Sequence, residues 1–313
     1  MNYETLWRRL TDRYEAGEAK AIVRLVMEVR FGLTLTDILC GKVEALPADS
    51  GQELERIMQR LAEGEPVQYV LGKADFCGRT FCVAPGVLIP RPETAELCED
   101  IITDIKDKIT EEQTGIVKDK ITEKQTFTIL DVGTGSGCIA CTLAAEIPGT
   151  QVTAWDISDT ALRIAADNAR RLGVNVTFEK VDVLSLSPNT QHPTPNTQHP
   201  TPNTQQWDLI VSNPPYICNK ERATMEAHVL DYEPESALFV PDSDPLLFYR
   251  AIARYAAKTL KPDGSLWFEI NPLYADELVT MLNAEGFENT EIRNDQFGKQ
   301  RFTASGLKKE TII

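Results

Sequence analysis

Apolar residues recur at helical spacing through residues 1–72 of the chain. Such spacing puts the apolar side chains on one face of each helix, where they can pack together. The residues that carry the pattern are Leu6, Leu10, Ile22, Leu25, Val26, Val29, Leu54, Ile57, Met58 and Leu61. The pattern predicts a small helical domain over residues 1–72. Two interpretations of this domain stay open, a substrate-recognition module and a plain structural bundle.

After residue 66 the pattern changes to short β-prone pieces separated by turn residues. The pieces are Val67–Gly72, Thr80–Val83 and Val87–Ile89, and the turns are at Gly78 and Pro85-Gly86. These pieces predict a β-hairpin linker over residues 73–94. We expect a helix to begin at Pro92, because proline suits a first helical turn and Glu93 complements the helix dipole.

The rest of the chain, residues 95–313, alternates strand and helix. The predicted strands are 127–132, 151–156, 175–181, 207–212, 265–270, 288–293 and 301–305, and the predicted helices are 138–146, 160–172, 245–260 and 275–285. The last two strands have no helix between them and are expected to pair antiparallel. Regular alternation predicts an α/β fold with a doubly wound, mostly parallel sheet.

Two segments of this part are internal repeats. One repeats Lys106–Thr110 at residues 118–122, and the other repeats Asn189–Pro195 at residues 196–202. Both sets of copies are short and the Asn189–Pro195 copies are polar and contain proline, so they bury too little apolar surface to order themselves, and we predict flexible inserts at about 106–126 and 187–205. His192 and His199 lie in the second insert, where a solvated loop explains them better than a metal site. No metal is predicted.

Composition narrows the class of protein. Of 313 residues, 42% are hydrophobic and 25% are charged, as in an ordinary soluble globular protein. No apolar run approaches the roughly eighteen residues of a membrane span, and the start of the chain lacks a signal-type segment. The seven cysteines show no framework spacing, so we expect a reducing compartment and a cytoplasmic protein.

The charge of the chain bears on its partners. The formal net charge is −15, whereas proteins that bind duplexes neutralise phosphates with basic residues. A local basic patch is compatible with this total, but a neutral or basic protein is the more natural partner. We expect a protein substrate, no nucleic acid, no membrane partner and a monomeric chain.

A glycine-rich turn follows the strand that ends at Val132. The predicted ligand-binding residues there are Asp131, Gly133, Thr134, Gly135, Ser136 and Gly137. Glycines let the backbone approach a ligand, and the N-terminus of the next helix offers unpaired N–H groups. A dinucleotide fingerprint needs glycine at its sixth position, where Cys138 stands. The spacing instead resembles the first motif of S-adenosylmethionine-dependent methyltransferases.

Acidic residues follow the next two strands. Asp156 can accept both hydroxyls of a ribose, which suits NAD as well as S-adenosylmethionine. Asp182 can accept a hydrogen bond from an adenine amine, or it can be a simple turn residue. Ile157 and Val183, which follow these aspartates, complete this part of the predicted cofactor site.

The most informative feature is Asn213-Pro214-Pro215-Tyr216, which follows the apolar run 207–212. Two prolines end a strand and stiffen the backbone, because they donate no ladder hydrogen bonds and fix φ. The result is a rigid rim at the carboxyl end of a strand, where open α/β sheets bind ligands. The Asn213 amide, the backbone carbonyls and the Tyr216 ring on this rim could bind a planar NH2 group of a ligand.

The glycine turn and this tetrapeptide together resemble the amino-methyltransferases that act on adenine, cytosine or glutamine amides. Residues 66–72, 87–94, Tyr232-Glu233-Pro234 and Ala237-Leu238 narrow the resemblance to the release factor glutamine methyltransferase family. The resemblance covers nearly the whole chain. Departures from the family pattern are the two inserts, Ala95 in place of a glutamate, and Asn271-Pro272 in place of a glycine.

The resemblance implies a fold, a cofactor and a substrate. The fold is a small helical domain, a hairpin and a class I methyltransferase domain with a seven-stranded sheet. The cofactor is S-adenosylmethionine, and Glu93 and Thr94 are implied to lie near its methionine end. The substrate is the glutamine of the Gly-Gly-Gln tripeptide in peptide chain release factors, which are the implied partners.

The tetrapeptide is predicted to bind this glutamine. The side-chain oxygen of Asn213 and the Pro214 carbonyl are predicted to accept the two N–H bonds of its amide. Asn213 is also predicted to lie near the cofactor. Pro215 fixes the turn, and Tyr216 packs against the glutamine. Three alternatives remain open: a ribosomal-protein glutamine methyltransferase, a nucleic-acid adenine or cytosine methyltransferase, and a binding module without activity.

Overall fold

The computed structural model describes residues 2–114, 126–186 and 206–308, without the side chains of 108–114. The chain forms two compact units. The first comprises Met1–Ala74, Val83–Pro85 and Thr224–Glu233, and the second comprises Asp75–Cys82, Gly86–Ala223 and Pro234–Ile313. The second predicted insert, 187–205, lies outside the described residues.

The first unit is helical, as its apolar spacing predicts. Its helices are α1 (Tyr3–Arg8), α2 (Ala16–Phe31), α3 (Leu35–Leu39), α4 (Ala48–Ala62), α5 (Val67–Leu71) and α9 (Ala227–Tyr232). The side chain of Asn2 caps α1, and Thr34 forms a capping box with Asp37 at the start of α3. One apolar core joins helices α1 to α5, and its buried residues include Leu6, Leu10, Val23, Met27, Leu54, Met58 and Leu61.

The segment Thr224–Glu233 belongs to this helical unit, although it follows the Asn213–Tyr216 turn in the chain. The Tyr232 hydroxyl donates to the Glu63 carbonyl at 3.3 Å. The compact unit thus includes Val83–Pro85 and Thr224–Glu233 in addition to the predicted range 1–72, and sequence order gave no sign of these more distant segments.

The predicted β-prone run at residues 67–72 is wrong, since Val67–Leu71 is helix α5. Pro66 precedes its first turn, and Gly72 ends it in the left-handed conformation with φ 69°. The hairpin consists of β1 (Lys73–Phe76) and β2 (Arg79–Cys82). Residues 87–89, also predicted to be β-prone, form a turn and irregular backbone instead of a strand.

The second unit contains a seven-stranded sheet in the order β10-β11-β9-β6-β3-β4-β5. Its strands are β3 (Thr128–Val132), β4 (Gln151–Asp156), β5 (Val176–Lys180), β6 (Trp207–Ser212), β9 (Leu260–Glu269), β10 (Phe287–Asn294) and β11 (Gln300–Leu307). Strand β11 runs antiparallel to both of its neighbours, and the other pairs are parallel. The doubly wound sheet and the antiparallel final pair are confirmed.

Helices cover both faces of this sheet. They are α6 (Pro92–Thr114), α7 (Cys138–Glu146), α8 (Asp159–Leu172), α11 (Leu247–Thr259) and α12 (Ala275–Ala284), and a short helix, α10 (Glu235–Leu238), belongs to the same unit. Alternate strand residues face opposite cores: Ile129 and Val211 join α6 and α7, whereas Leu130 and Ile210 join α11 and α12. Among the described residues, no helix is both long and apolar enough to span a membrane.

Helix α6 begins at Pro92 as predicted and continues to Thr114. Residues 106–114, assigned from sequence to the first flexible insert, are therefore helical, and 115–125 lie outside the described residues. A small parallel pair, β7 (Ile217–Cys218) and β8 (Phe239–Val240), follows the Asn213–Tyr216 turn.

The sheet order places the predicted site residues along one edge. Val132 pairs with Trp155 on one side and with Ser212 on the other. The chain adds β4 and β5 to one side of β3 and then returns to add β6 on the other, so β3 and β6 flank the switch point of the sheet. Ligands of open α/β sheets bind at such a point, outside the carboxyl ends of the strands.

Candidate active site

The glycine turn after β3 adopts a conformation that only glycine takes up readily. Gly133, Gly135 and Gly137 have φ angles of 76°, 55° and 80°. Gly133 and Thr134 both donate their N–H to the Trp155 carbonyl, at 2.8 and 2.9 Å. A Cβ atom at Gly133 or Gly135 would have no neighbour within 4 Å, so open space lies beside this turn.

Asp156 lies at the end of β4 and contacts this turn directly. Its Oδ2 accepts the Gly135 N–H at 2.9 Å, and its Oδ1 accepts the Ser158 N–H at 2.8 Å. Each carboxylate oxygen keeps lone-pair capacity for a further donor such as a hydroxyl. Ile157 follows with 58% of its surface exposed. The structure thus joins two of the predicted cofactor-binding elements.

Asp131 is fully buried beneath the turn. Its Oδ2 accepts the Thr134 hydroxyl at 2.6 Å and the Ala140 N–H at 3.2 Å, while its Oδ1 has no partner among the described residues. Burial raises the pKa of the Asp131 carboxyl to about 7, against the opposing effect of those two hydrogen bonds. Asp131 therefore stabilises the buried side of the glycine turn.

Asp182 and Val183 follow β5, the strand next to β4. The Asp182 carboxylate accepts the Leu184 N–H at 3.0 Å and so caps the short 3-10 turn Val183–Ser185. Asp182 thus performs the turn role considered in the sequence analysis. A part in binding adenine remains a prediction for both residues.

The Asn213–Tyr216 turn leaves β6 at the switch point. Just before it, the Ser212 hydroxyl donates to the Val132 carbonyl at 2.6 Å, which ties β6 to β3. The Asn271 side chain donates to the Tyr216 carbonyl at 3.1 Å, while its oxygen accepts the Leu273 N–H at 3.0 Å. The departure from the family pattern at Asn271 therefore supports the tetrapeptide.

A chain of side-chain hydrogen bonds lies behind the tetrapeptide. The Asn213 Nδ2 donates to the Thr94 hydroxyl at 3.1 Å, and that hydroxyl donates to Glu269 Oε2 at 2.6 Å. The Tyr216 hydroxyl donates to the other carboxylate oxygen, Glu269 Oε1, at 3.0 Å. Thr94 and Glu269 are 3% and 2% exposed.

Burial also shifts the protonation of this group of residues. It raises the pKa of the Glu269 carboxyl, while hydrogen bonds from Thr94 and Tyr216 and the charge of Arg301 act in the opposite direction. Burial and the neighbouring Glu269 raise the pKa of the Tyr216 phenol well above its ordinary value, so Tyr216 is a neutral donor.

Two residues of the site were missed in the sequence analysis. Glu269 ends β9, where an acidic residue at a strand end was the available signal. Asn168 is a buried polar residue on the inner face of α8, beside Ala165 and Ala169. Its Nδ2 donates to the Cys82 and Ser136 carbonyls, both at 2.9 Å, and its Oδ1 accepts the Cys82 N–H at 2.7 Å.

These residues fit S-adenosylmethionine. The glycine turn leaves open space beside its backbone, Asp156 has lone pairs for a ribose, and the Asn213–Tyr216 turn begins on the neighbouring strand. Glu93 is half-buried one residue before Thr94. No group of three or more His, Cys, Asp and Glu side chains suited to a metal ion occurs within the described ranges.

The fold and the site at the carboxyl ends of its parallel strands define a class I S-adenosylmethionine-dependent methyltransferase. Two family models match the chain: the PrmC N-terminal domain over residues 6–72 and the Methyltransferase domain over residues 129–194. The solved hMettl16 catalytic domain, in complex with the MAT2A 3′UTR hairpin 6, has a TM-score of 0.50 and 17% identity. The match covers 82% of this chain and 84% of that one, and it shows the fold alone.

Curated relatives specify the family. A release factor glutamine methyltransferase of Bacteroides thetaiotaomicron is 43% identical, over 96% of this chain and 98% of the relative. Proteins of the same name from Flavobacterium psychrophilum and Streptococcus pneumoniae are 36% and 34% identical, with 96% and 91% of each chain covered. The chain belongs to the release factor glutamine methyltransferase family. The resemblance stated from the motifs is confirmed.

Proposed function

We propose that this enzyme transfers a methyl group from S-adenosylmethionine to the side-chain amide nitrogen of a glutamine in peptide chain release factors. The specific target is the glutamine of the Gly-Gly-Gln tripeptide. Family membership supports the substrate class, and the chemistry of the Asn213–Tyr216 turn supports a carboxamide as the accepting group.

One observation carries the proposal. Within the described part of the chain, Asn213 Oδ1 and the Pro214 carbonyl have no intramolecular hydrogen-bond donor, although Asn213 Nδ2 is bound to Thr94. Two unpaired acceptors from successive residues, at the switch point of the sheet, match the two N–H bonds of a primary amide. A substrate amide would satisfy both.

Amide nitrogen is a weak nucleophile because its lone pair is shared with the carbonyl. Asn213 and Pro214 hold the two N–H bonds, so the nitrogen keeps one orientation relative to the cofactor site. Pro215 keeps the turn rigid, and Tyr216 lines the glutamine side chain. Bound S-adenosylmethionine supplies an electrophilic methyl group. The contribution of the residues is positioning and electrostatics, and no base residue is needed before transfer.

The test is methyl transfer from radiolabelled S-adenosylmethionine to a purified release factor. We expect label in the wild-type factor and none when the glutamine of its tripeptide is replaced by glutamate. Asn213→Ala should lose turnover by at least about a hundredfold while it still binds the cofactor, measured separately by calorimetry. Wild-type turnover of Asn213→Ala would refute the assigned role of this residue.

The same assay separates the rival substrates. A ribosomal protein replaces the release factor in one arm, and DNA or RNA replaces it in another. We expect neither to be labelled at a comparable rate, since the relatives act by name on release factors and the net charge is −15. We further propose a monomeric cytoplasmic enzyme. All seven cysteines lie in the described part of the chain and are free thiols, in keeping with a reducing compartment.

A further inference from the structure

We propose that Thr94 and Glu269 are positioning residues that fix which way the Asn213 amide faces. They form a hydrogen-bond chain of fixed polarity, which turns the Asn213 oxygen toward the substrate. This inference rests on the proposed function, because it explains how the acceptor of the substrate amide is oriented.

The polarity begins at the carboxylate. An ionised carboxylate accepts hydrogen bonds and donates none, so the Thr94 hydroxyl must donate its only hydrogen to Glu269 Oε2, 2.6 Å away. The hydroxyl oxygen then has only lone pairs to offer to Asn213. The group of Asn213 that lies 3.1 Å from Thr94 must therefore be the NH2 group.

Such a constraint matters because the two ends of a carboxamide have nearly the same shape. Rotation of the Asn213 amide by a half-turn would present its NH2 group to the NH2 group of the substrate, donor against donor. Packing alone distinguishes the two orientations poorly, whereas the hydrogen-bond chain allows only one. Both Thr94 and Glu269 are almost fully buried, so bulk water does not compete for these bonds.

Glu269 also holds the other end of the tetrapeptide. Its Oε1 accepts the Tyr216 hydroxyl at 3.0 Å, and its own carbonyl accepts the Tyr249 hydroxyl at 3.0 Å. The carboxylate is thus connected to the first and the last residue of the Asn213–Tyr216 turn. The buried Glu269 carboxylate at the end of β9 therefore fixes the distance between Asn213 and Tyr216 and the direction of both side chains.

The test compares a substitution at Thr94 that removes the hydroxyl with one that keeps it. Thr94→Val has the same shape but cannot accept from Asn213, whereas Thr94→Ser keeps the hydroxyl. We expect Thr94→Val to lower kcat for the release factor by about ten- to a hundredfold, with most of the loss recovered in Thr94→Ser. The dissociation constant for S-adenosylmethionine and the thermal midpoint are measured for each variant, so that loss of folding or of cofactor binding is not mistaken for lost orientation.

Two substitutions at Glu269 give an independent comparison if Thr94→Val is unstable. Glu269→Gln can still accept the Thr94 hydroxyl through its amide oxygen and donate to Tyr216, so its kcat should stay within about fivefold of wild type. Glu269→Leu cannot accept at all and should lose kcat as Thr94→Val does. Folded Thr94→Val or Glu269→Leu with wild-type kcat would overturn the inference. Labelling of the release factor by the wild-type enzyme tests the proposed function separately, whereas an active Asn213→Ala would remove the role of Asn213 and with it this inference.

Discussion

Asp156 accepts the Gly135 N–H at 2.9 Å, so the carboxylate that ends β4 also fixes the glycine turn after β3. This hydrogen bond joins the carboxyl ends of β3 and β4, two neighbouring strands of the sheet. The residue predicted to bind the ribose is therefore already engaged in building the pocket, and its removal should affect the turn as well as the ligand.

Asp156→Ala should weaken S-adenosylmethionine binding by about a hundredfold, because it removes a charge-assisted bond to the turn and the acceptor of the ribose. Calorimetric titration of the cofactor measures this. Asp159→Ala is the matched control: among the described residues, the Asp159 carboxylate forms an exposed ion pair with Lys180, and such pairs contribute little. Equal affinities for the two variants would contradict the assigned role.

Gly137 and Gly149 share a left-handed backbone but differ in their surroundings. A Cβ at Gly137, where φ is 80°, would lie 2.9 Å from the Ala165 Cβ, whereas a Cβ at Gly149, where φ is 83°, meets nothing within 4 Å. We expect Gly149→Ala to cost about 1 kcal/mol of unfolding free energy and Gly137→Ala about 3 kcal/mol, because only the latter adds overpacking. Urea unfolding measures both, and a difference near zero would argue against tight packing of the turn on α8.

Asn168→Ala should destabilise the methyltransferase unit by about 3 kcal/mol, since it leaves the half-buried Cys82 N–H and carbonyl and the buried Ser136 carbonyl without their partner. The exposed Asn175 offers a control of the same residue type, and Asn175→Ala should change the free energy by less than about 0.5 kcal/mol. Chemical unfolding of the two variants compares them. Because Asn168 also holds Ser136, cofactor affinity should fall in the first variant only.

These contacts show which parts of the molecule could be derived from the sequence. Strands β4 and β6 and helix α7 match their predicted bounds. Each is a continuous apolar run that ends at turn residues or at polar residues. The run at residues 67–72 was misassigned, because a short run with four apolar and aromatic residues does not distinguish a helix from a strand. Its flanking Pro66 and Gly72 were the better signal.

The residues of the site also divide into those that the sequence revealed and those that it did not. The glycine turn and the Asn213–Tyr216 turn are local motifs, so the sequence revealed them before the structure. Glu269 acts through Thr94, which lies 175 positions earlier in the chain, and Asn168 acts through Cys82, 86 positions earlier. Contacts of that range depend on the complete sheet topology, and a single sequence does not show them.

Ionised Glu269 accepts hydrogen bonds at both oxygens, whereas the protonated acid, like the amide of Glu269→Gln, accepts at one and donates from the other. Turnover should therefore fall, by no more than about fivefold, as pH decreases through the pKa of this carboxyl. Burial raises that pKa above the ordinary glutamate value, with Glu93 acting in the same direction and Arg301, Thr94 and Tyr216 against it. The loss should therefore begin at a higher pH than for an exposed glutamate. Profiles of kcat against pH for wild type and Glu269→Gln test this: the amide variant should lack the transition, and identical profiles would contradict the prediction.

Asp131 should make the stability of the enzyme depend on pH in the opposite way to most carboxylates. Its pKa is raised from 3.8 to about 7 in the folded state, so the unfolded chain releases this proton first as pH rises. The stabilisation is present in full below the unfolded pKa and is lost by about pH 7, with a total of up to about 4 kcal/mol at about 1.4 kcal/mol per pKa unit.

Asp131→Asn isolates this effect, because the amide oxygen can accept from Thr134 and Ala140 and carries no proton to lose. Urea unfolding of both proteins at a series of pH values gives the difference in unfolding free energy. We expect the difference to shift in favour of the variant as pH rises from about 4 to about 7 and to stay constant above that. All other titrating groups are shared, so their contributions cancel in the difference. Parallel curves for the two proteins would mean that the pKa of Asp131 is not raised in the folded state, which would contradict the prediction.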